Sequence, residues 1–143
     1  MGAAKITRFI RGIGYTSAEI HSNRSLGQRK EALEGFKSGK YRILVATDIA
    51  ARGIDVTGIE LVLNYDLPDD SENYIHRIGR TGRIGDTGHA ISFATPEQGK
   101  DVKDIEKIMR MALPVTVADF SASLNRVVEP VDADPVYPGR DKR

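Results

Sequence analysis

Ile43-Leu44-Val45-Ala46-Thr47-Asp48-Ile49-Ala50-Ala51-Arg52-Gly53-Ile54-Asp55 begins with four apolar residues that do not alternate with polar ones. A half-exposed strand alternates; an unbroken run fits a strand covered on both faces, as in a parallel sheet between layers of helices. Ligands of open α/β sheets gather beyond the carboxyl ends of such strands, and the informative residues are expected there. The segment from Thr47 to Asp55 can offer a hydroxyl and backbone N–H groups to phosphates, and a carboxylate to a ribose hydroxyl. On residue types alone the plainer reading is a turn with a capping aspartate and an exposed arginine.

Working outward, Leu61-Val62-Leu63 and Ala90-Ile91-Ser92-Phe93-Ala94 repeat the buried-strand pattern, and Ser17 to His21 reads as a further short strand. Between them lie helical periods. Ile6, Phe9, Ile10 and Ile13 make one apolar stripe ahead of Gly14. Ser25-Leu26-Gly27-Gln28 has capping-box spelling and opens a helix expected to turn Leu26, Ala32, Leu33 and Phe36 inward and to end at Gly39. Ser71 to Ile78 brings Tyr74, Ile75 and Ile78 to one side. Thr95-Pro96-Glu97-Gln98 combines a second capping box with a proline at the first helical position, and the next helix is expected to bury Val102, Ile105, Ile108 and Met109. Helices alternating with buried strands define a parallel α/β layer structure. After Leu113 come four of the six prolines. The domain is therefore expected to occupy 1–112, with 113–143 as a linker or flexible tail carrying a short amphipathic segment near Val117–Leu124.

Composition excludes more than it proposes. The chain has 143 residues and no cysteine, hence no disulfide framework and no Cys-based zinc site. Its three histidines show no ligand spacing, so no metal site is expected. No apolar run approaches a membrane span, and a cytoplasmic location is the default. With 21 basic and 20 acidic residues the formal net charge is +1, so any basic surface has to be local.

The local surface is His76-Arg77-Ile78-Gly79-Arg80-Thr81-Gly82-Arg83, with arginines at every third position and glycines that leave the backbone bare. A guanidinium donates paired hydrogen bonds to phosphate oxygens, and one aimed at a triphosphate can stabilise charge on the transferred group. A solvated basic turn has the same composition. The spelling separates the two. HRIGRTGR resembles motif VI of the DEAD-box RNA helicases letter for letter. ATDIAARGIDV looks like motif V of that family, and Asn64-Tyr65-Asp66-Leu67-Pro68 looks like the segment after the next strand.

The resemblance, over about residues 20–110, implies a RecA-like parallel sheet flanked by helices: the C-terminal lobe of an ATP-dependent RNA helicase, most like the bacterial type. Carried over residue by residue, Thr47 and the Arg52-Gly53 backbone would face RNA phosphates, as would Arg29. Asp55 and Gly53 would hold the ribose side of ATP, and Arg80 and Arg83 would contact the terminal phosphates as arginine fingers. His76 and Arg77 would couple to the acidic motif of the other lobe. RNA would be bound without sequence preference, since phosphate and sugar contacts carry no base information.

Three departures temper this. Neither a GxxxxGK[ST] sequence nor Asp-Glu-Ala-Asp occurs, so ATP with Mg2+ would be held mainly by a partner N-terminal lobe, and no ATP hydrolysis is expected of this chain alone. The chain starts in what the family treats as the first helix of the lobe. The sheet is therefore expected to lack its first strand, with marginal stability or self-association as the result. His21-Ser22-Asn23 replaces the usual HGD, and Leu26 stands where the family has glutamine, which weakens the RNA side. A stand-alone RNA-binding or regulatory module, or an inert gene fragment, would share these features.

Overall fold

The computed structural model describes residues 2–82 and 87–117. They fall into two compact units, one running Met1–Ile54 and the other Asp55–Ala118. The order of elements is α1 (Ala3–Gly12), β1 (Ser17–Ile20), α2 (Leu26–Lys37), β2 (Ile43–Ala46), α3 (Asp48–Ala51), β3 (Leu61–Asn64), α4 (Ser71–Ile78), β4 (His89–Ser92), a 3-10 turn (Pro96–Gln98) and α5 (Gly99–Met109). The alternation read from the sequence is present, and every strand pair is parallel. Among the described residues the strands pair as two two-stranded sheets, β1 with β2 and β3 with β4.

In the first unit β1 pairs with β2 from Ser17 opposite Ile43 to Ile20 opposite Ala46. Successive strand side chains point to opposite faces. Ala18 and Ile20 face α2 and build the apolar core with Ala32 and Ala50, flanked by Leu33, Tyr41, Leu44 and Ile54. Ser17 and Glu19 belong to the other face, where Ser17 Oγ donates to the Thr7 carbonyl of α1. Both-face burial was expected of β2, yet it is β1 whose four residues are all buried, while β2 is half-buried and Ala46 exposed.

Two further expectations are corrected. Phe9 is 60% exposed, and the buried residue of α1 is Thr7. Ile6, Ile10 and Ile13 are half-buried, and the most buried side chain of α1 is a polar one, whose hydroxyl donates to Ala3 O within its own helix at 3.0 Å. Leu26 is 83% exposed, because it is the first residue of α2, where the first turn is held by the Ser25–Gln28 capping box and not by packing.

In the second unit β3 and β4 pair from Leu61 opposite His89 to Asn64 opposite Ser92. One face carries Asn64 and Ser92 and meets Tyr74 of α4, which packs on α5. Leu61, Leu63, Tyr65, Ile91 and Phe93 alternate onto the other face and stay exposed, with the Tyr65 and Phe93 rings edge-on at 6.3 Å. The two strands are therefore not covered on both sides, as their apolar spelling had suggested; one helical layer covers one face. In α5, Ile105 is buried and Val102 and Met109 half-buried, but Ile108 is exposed. Residues 113–117 are irregular and largely exposed, and the rest of the expected tail, with its amphipathic segment, lies outside the described residues.

Glu19 is the one buried carboxylate on β1. Burial pushes its carboxyl up, but the Arg24 guanidinium, together with His21 and Thr7, outweighs that and holds it below the ordinary value of 4.5. The pairing therefore contributes fully above that value and is lost as pH falls below it through the folded-state value. In urea unfolding between pH 6 and pH 3, Glu19→Gln is expected to flatten the loss of stability that the wild type shows below about pH 4.5.

A second test concerns α2. A Cβ on Gly35 would lie 2.4 Å from the Tyr41 ring, whereas one on Gly27 meets nothing within 4 Å. Gly35→Ala should lower unfolding free energy by about 1–3 kcal/mol, while Gly27→Ala should be neutral or raise it by roughly 0.5 kcal/mol, both read from urea midpoints.

Candidate nucleotide and nucleic-acid interface

In the first unit the sequence after β2 leaves the strand at its carboxyl end, as expected. Thr47 N–H donates to the Ile20 carbonyl at 3.2 Å, which extends the ladder by one bond. The next four residues form the short helix α3, where the residue types suggest only a turn. Thr47 stands at its N-cap position, but its hydroxyl makes no capping bond, and the residue is exposed. Arg52 has extended backbone and Gly53 a φ of 80°, so the chain reverses at a position that suits glycine. Arg52 and Gly53 are exposed. Arg29 lies in the first turn of α2, half-buried, with its Nε donating to the Arg24 carbonyl at 3.1 Å.

In the second unit Asp55 is exposed. α4 is capped by the Asp70 side chain, which accepts from the Glu72 N–H at 2.9 Å, and ends at Gly79. His76 is exposed. Arg77 is engaged inside the unit: its Nη1 donates to the Asp66 carbonyl at 2.7 Å and to Asn64 Oδ1 at 3.2 Å. Asn64, 2% exposed, passes the contact on by donating to Ser92 Oγ at 2.9 Å, and Ser92 Oγ donates to the Tyr74 hydroxyl at 3.3 Å.

Arg80 is where the expectation of carboxyl-end sites fails. The Ile59 N–H donates to the Arg80 carbonyl at 3.1 Å, Thr81 bridges Ile59, and Thr81 Oγ donates to the Glu60 carbonyl at 3.4 Å. Those partners precede β3, so Arg80 stands at the amino ends of β3 and β4. The reason is topological. α4 leaves the carboxyl end of β3 and must run back before the parallel β4 can begin. The loop is closely drawn: a Cβ on Gly88 would lie 2.1 Å from the Gly82 nitrogen, and Gly82 has a φ of 66°. Gly58, Ile59, Glu60, Gly82 and Thr87 line a shallow hollow of about 210 Å3 beside it. Among the described residues no side-chain hydrogen bond or ion pair engages Arg80. Arg83 lies outside the described residues.

A half-exposed guanidinium on a fixed bare backbone suits the terminal phosphates of a nucleotide, and an exposed carboxylate such as Asp55 suits a ribose hydroxyl. For a divalent cation the donor set differs: among the described residues there is no group of three or more His, Cys, Asp or Glu that could hold a metal ion. Nor, among them, is any helix long and apolar enough to cross a membrane.

Comparison with known proteins gives this geometry a class. The family described as the helicase conserved C-terminal domain matches residues 2–85, and the chain belongs to that family. Within it the chain is of the DEAD-box type, as the following relatives show. It is 51% identical over 108 residues to the ATP-dependent RNA helicase DBP2 of Debaryomyces hansenii, a match covering 76% of this chain and 20% of that protein. A DBP2 of Pyricularia oryzae is 50% identical over 110 residues, again covering 20% of its length. The chain thus spans about one fifth of the curated relatives it matches. Among solved structures, a DEAD box protein from the hyperthermophile Methanococcus jannaschii superposes with a TM-score of 0.70 at 42% identity, over 76% of this chain and 30% of that one. The E. coli DEAD-box protein SrmB, solved bound to regulator of ribonuclease activity A, gives 0.74 at 29% identity, over 94% and 75%. The fold is accordingly the RecA-like α/β lobe. The sequence relatives named here are fungal, and the bacterial type stays an expectation from the motifs.

The sequence reading passed over the Asn64 network and Glu19. Each is a lone polar residue inside an apolar run, Leu61-Val62-Leu63-Asn64 and Ala18-Glu19-Ile20. Such a residue, once buried, has to have a partner, and that signal was available. Asn64→Ala is expected to lower unfolding free energy by about 1–3 kcal/mol, because Arg77 loses an acceptor and the half-buried Ser92 hydroxyl loses its donor; a urea unfolding curve measures it.

Proposed function

We propose that this chain is the nucleotide- and RNA-facing C-terminal half of an ATP-dependent RNA helicase and works when joined to an N-terminal RecA-like lobe. The observation that carries the reading is Arg80: a guanidinium without a side-chain partner among the described residues, on a loop fixed by the Thr81–Ile59 bridge, within a motif VI spelling. ATP with Mg2+, held mainly by the other lobe, supplies a terminal phosphoryl group on which negative charge builds as it is transferred. Arg80 and Arg83 neutralise that charge as arginine fingers, Arg80 from a backbone already held by the Thr81–Ile59 bridge. Asp55 accepts from a ribose hydroxyl, and Gly53 is a further contact to the nucleotide. Thr47, the Arg52-Gly53 backbone and Arg29 donate to RNA phosphates, so binding is independent of base sequence. His76 and Arg77 link the two ligands through contacts to the other lobe.

The chain alone is expected to hydrolyse no ATP, since no phosphate-cradling sequence is present in it. The deciding experiment is RNA-stimulated ATP hydrolysis by a two-lobe protein rebuilt around this chain. Arg80→Ala and Arg83→Ala should each lower kcat by roughly a thousandfold or more while leaving RNA affinity near the wild-type value. Steady hydrolysis by the isolated chain, or arginine variants that stay fully active, would overturn the reading.

A further inference from the structure

Glu19, His21, Arg24 and Arg29 all lie in the first unit. Glu19 sits on β1 with its side chain 7% exposed, and a carboxylate that far from water is costly unless paired. It is paired with Arg24, whose Nη2 donates to Glu19 Oε1. His21 stands on its other side, with Nε2 at 3.5 Å from the same oxygen. His21 Nδ1 accepts from the Asn23 N–H at 3.3 Å. The turn between β1 and α2 is closed by Arg24 N–H donating to the His21 carbonyl at 3.0 Å. Glu19 therefore holds the turn at its Arg24 end, with the His21 ring beside the same carboxylate.

Arg24 does a second thing. Its carbonyl oxygen accepts from Arg29 Nε at 3.1 Å, while the Arg29 backbone N–H bonds Ser25 O at 3.0 Å as part of α2. A guanidinium has five N–H groups in a rigid plane. Fixing Nε sets the direction of that plane and leaves the two terminal nitrogens to make the paired bonds a phosphate accepts. The carbonyl that fixes it belongs to a residue whose own half-exposed side chain is tied to the buried Glu19 carboxylate.

We propose that Glu19 is a positioning residue for RNA binding: through Arg24 it aims the Arg29 guanidinium at the RNA backbone. The inference rests on the reading of Arg29 as an RNA-phosphate contact. It also gives a purpose to an ion pair with one buried partner, since taking a carboxylate out of water offsets much of what the pairing contributes. An apolar side chain at position 19 would fill the space; what it would remove is the anchor of the turn.

The test has two readouts on the full chain. The first is the Arg29 Nε–H resonance of isotope-labelled protein without RNA. In the wild type its exchange with water should be slowed by the bond to Arg24 O; in Glu19→Gln and in Glu19→Met, the second of which keeps the volume, it should speed up several-fold while the backbone spectrum of β2 and α2 is kept. The second is binding of a fluorescent single-stranded oligoribonucleotide over a range of salt. Arg29→Ala should reduce the slope of log affinity on log salt by about 0.7, one phosphate contact. Glu19→Gln should reduce it likewise, and Glu19→Gln with Arg29→Ala should bind no more weakly than Arg29→Ala alone. Unchanged Nε–H exchange in both Glu19 variants, or effects of the two sites that multiply in the double variant, would overturn the proposal. If Arg29→Ala binds RNA as the wild type does, the reading of Arg29 falls and the proposal with it, a result distinct from failure at Glu19 alone.

Discussion

A strand buried on both faces has no water to satisfy its polar groups, and much of the first unit follows from meeting that condition for Ser17–Ile20. Its apolar positions, Ala18 and Ile20, close the core against α2. Its polar positions dictate the other layer. The Ser17 carbonyl takes two bonds from Arg11, at 3.0 and 2.7 Å, while the Ser17 hydroxyl reaches the Thr7 carbonyl. A lost partner here would cost about 1–3 kcal/mol, the penalty for a buried polar group left unpaired. The position of α1, the path of the turn into α2 and the setting of Arg29 are thus solutions to one problem of hydrogen-bond supply.

The extent of local elements was largely legible because their signals are local. Both capping boxes, Ser25 with Gln28 and Thr95 with Gln98, form as spelled, since a cap needs only residues three apart. Periodicity likewise located α1, α2, α4 and α5. It could not say what each stripe would meet: Phe9 and Leu26 have the right spacing and yet face solvent. The apolar runs of β3 and β4 misled for the same reason, because run composition does not count the layers that cover a sheet. Helix α3 was invisible, four residues being too few to establish a period.

The candidate site was legible by spelling and illegible by geometry. Thr47, Arg52 and Gly53 follow β2 at its carboxyl end, where general reasoning about α/β sheets puts ligand sites. Arg80 does not share that end of its own strands, because a helix joining two parallel strands must return to their beginning. Chain direction alone would have given that answer. The polar hubs Asn64 and Glu19 are a different kind of omission. Glu19 matches no motif and Asn64 only opens a family-like segment, so their bonding roles reveal themselves only when a polar residue in an apolar run is asked where its hydrogen bonds go.

The chain of bonds from Arg77 through Asn64 and Ser92 to Tyr74 ties α4 to both strands of its sheet at once. It works as a cross-brace. A pull on any one member is shared by four side chains and two strands before the helix can slide or roll, so the segment from His76 to Arg80 resists small displacements. A cationic tip on so stiff a mount holds its aim under load, and it can be redirected only by moving the β3–β4 sheet with it.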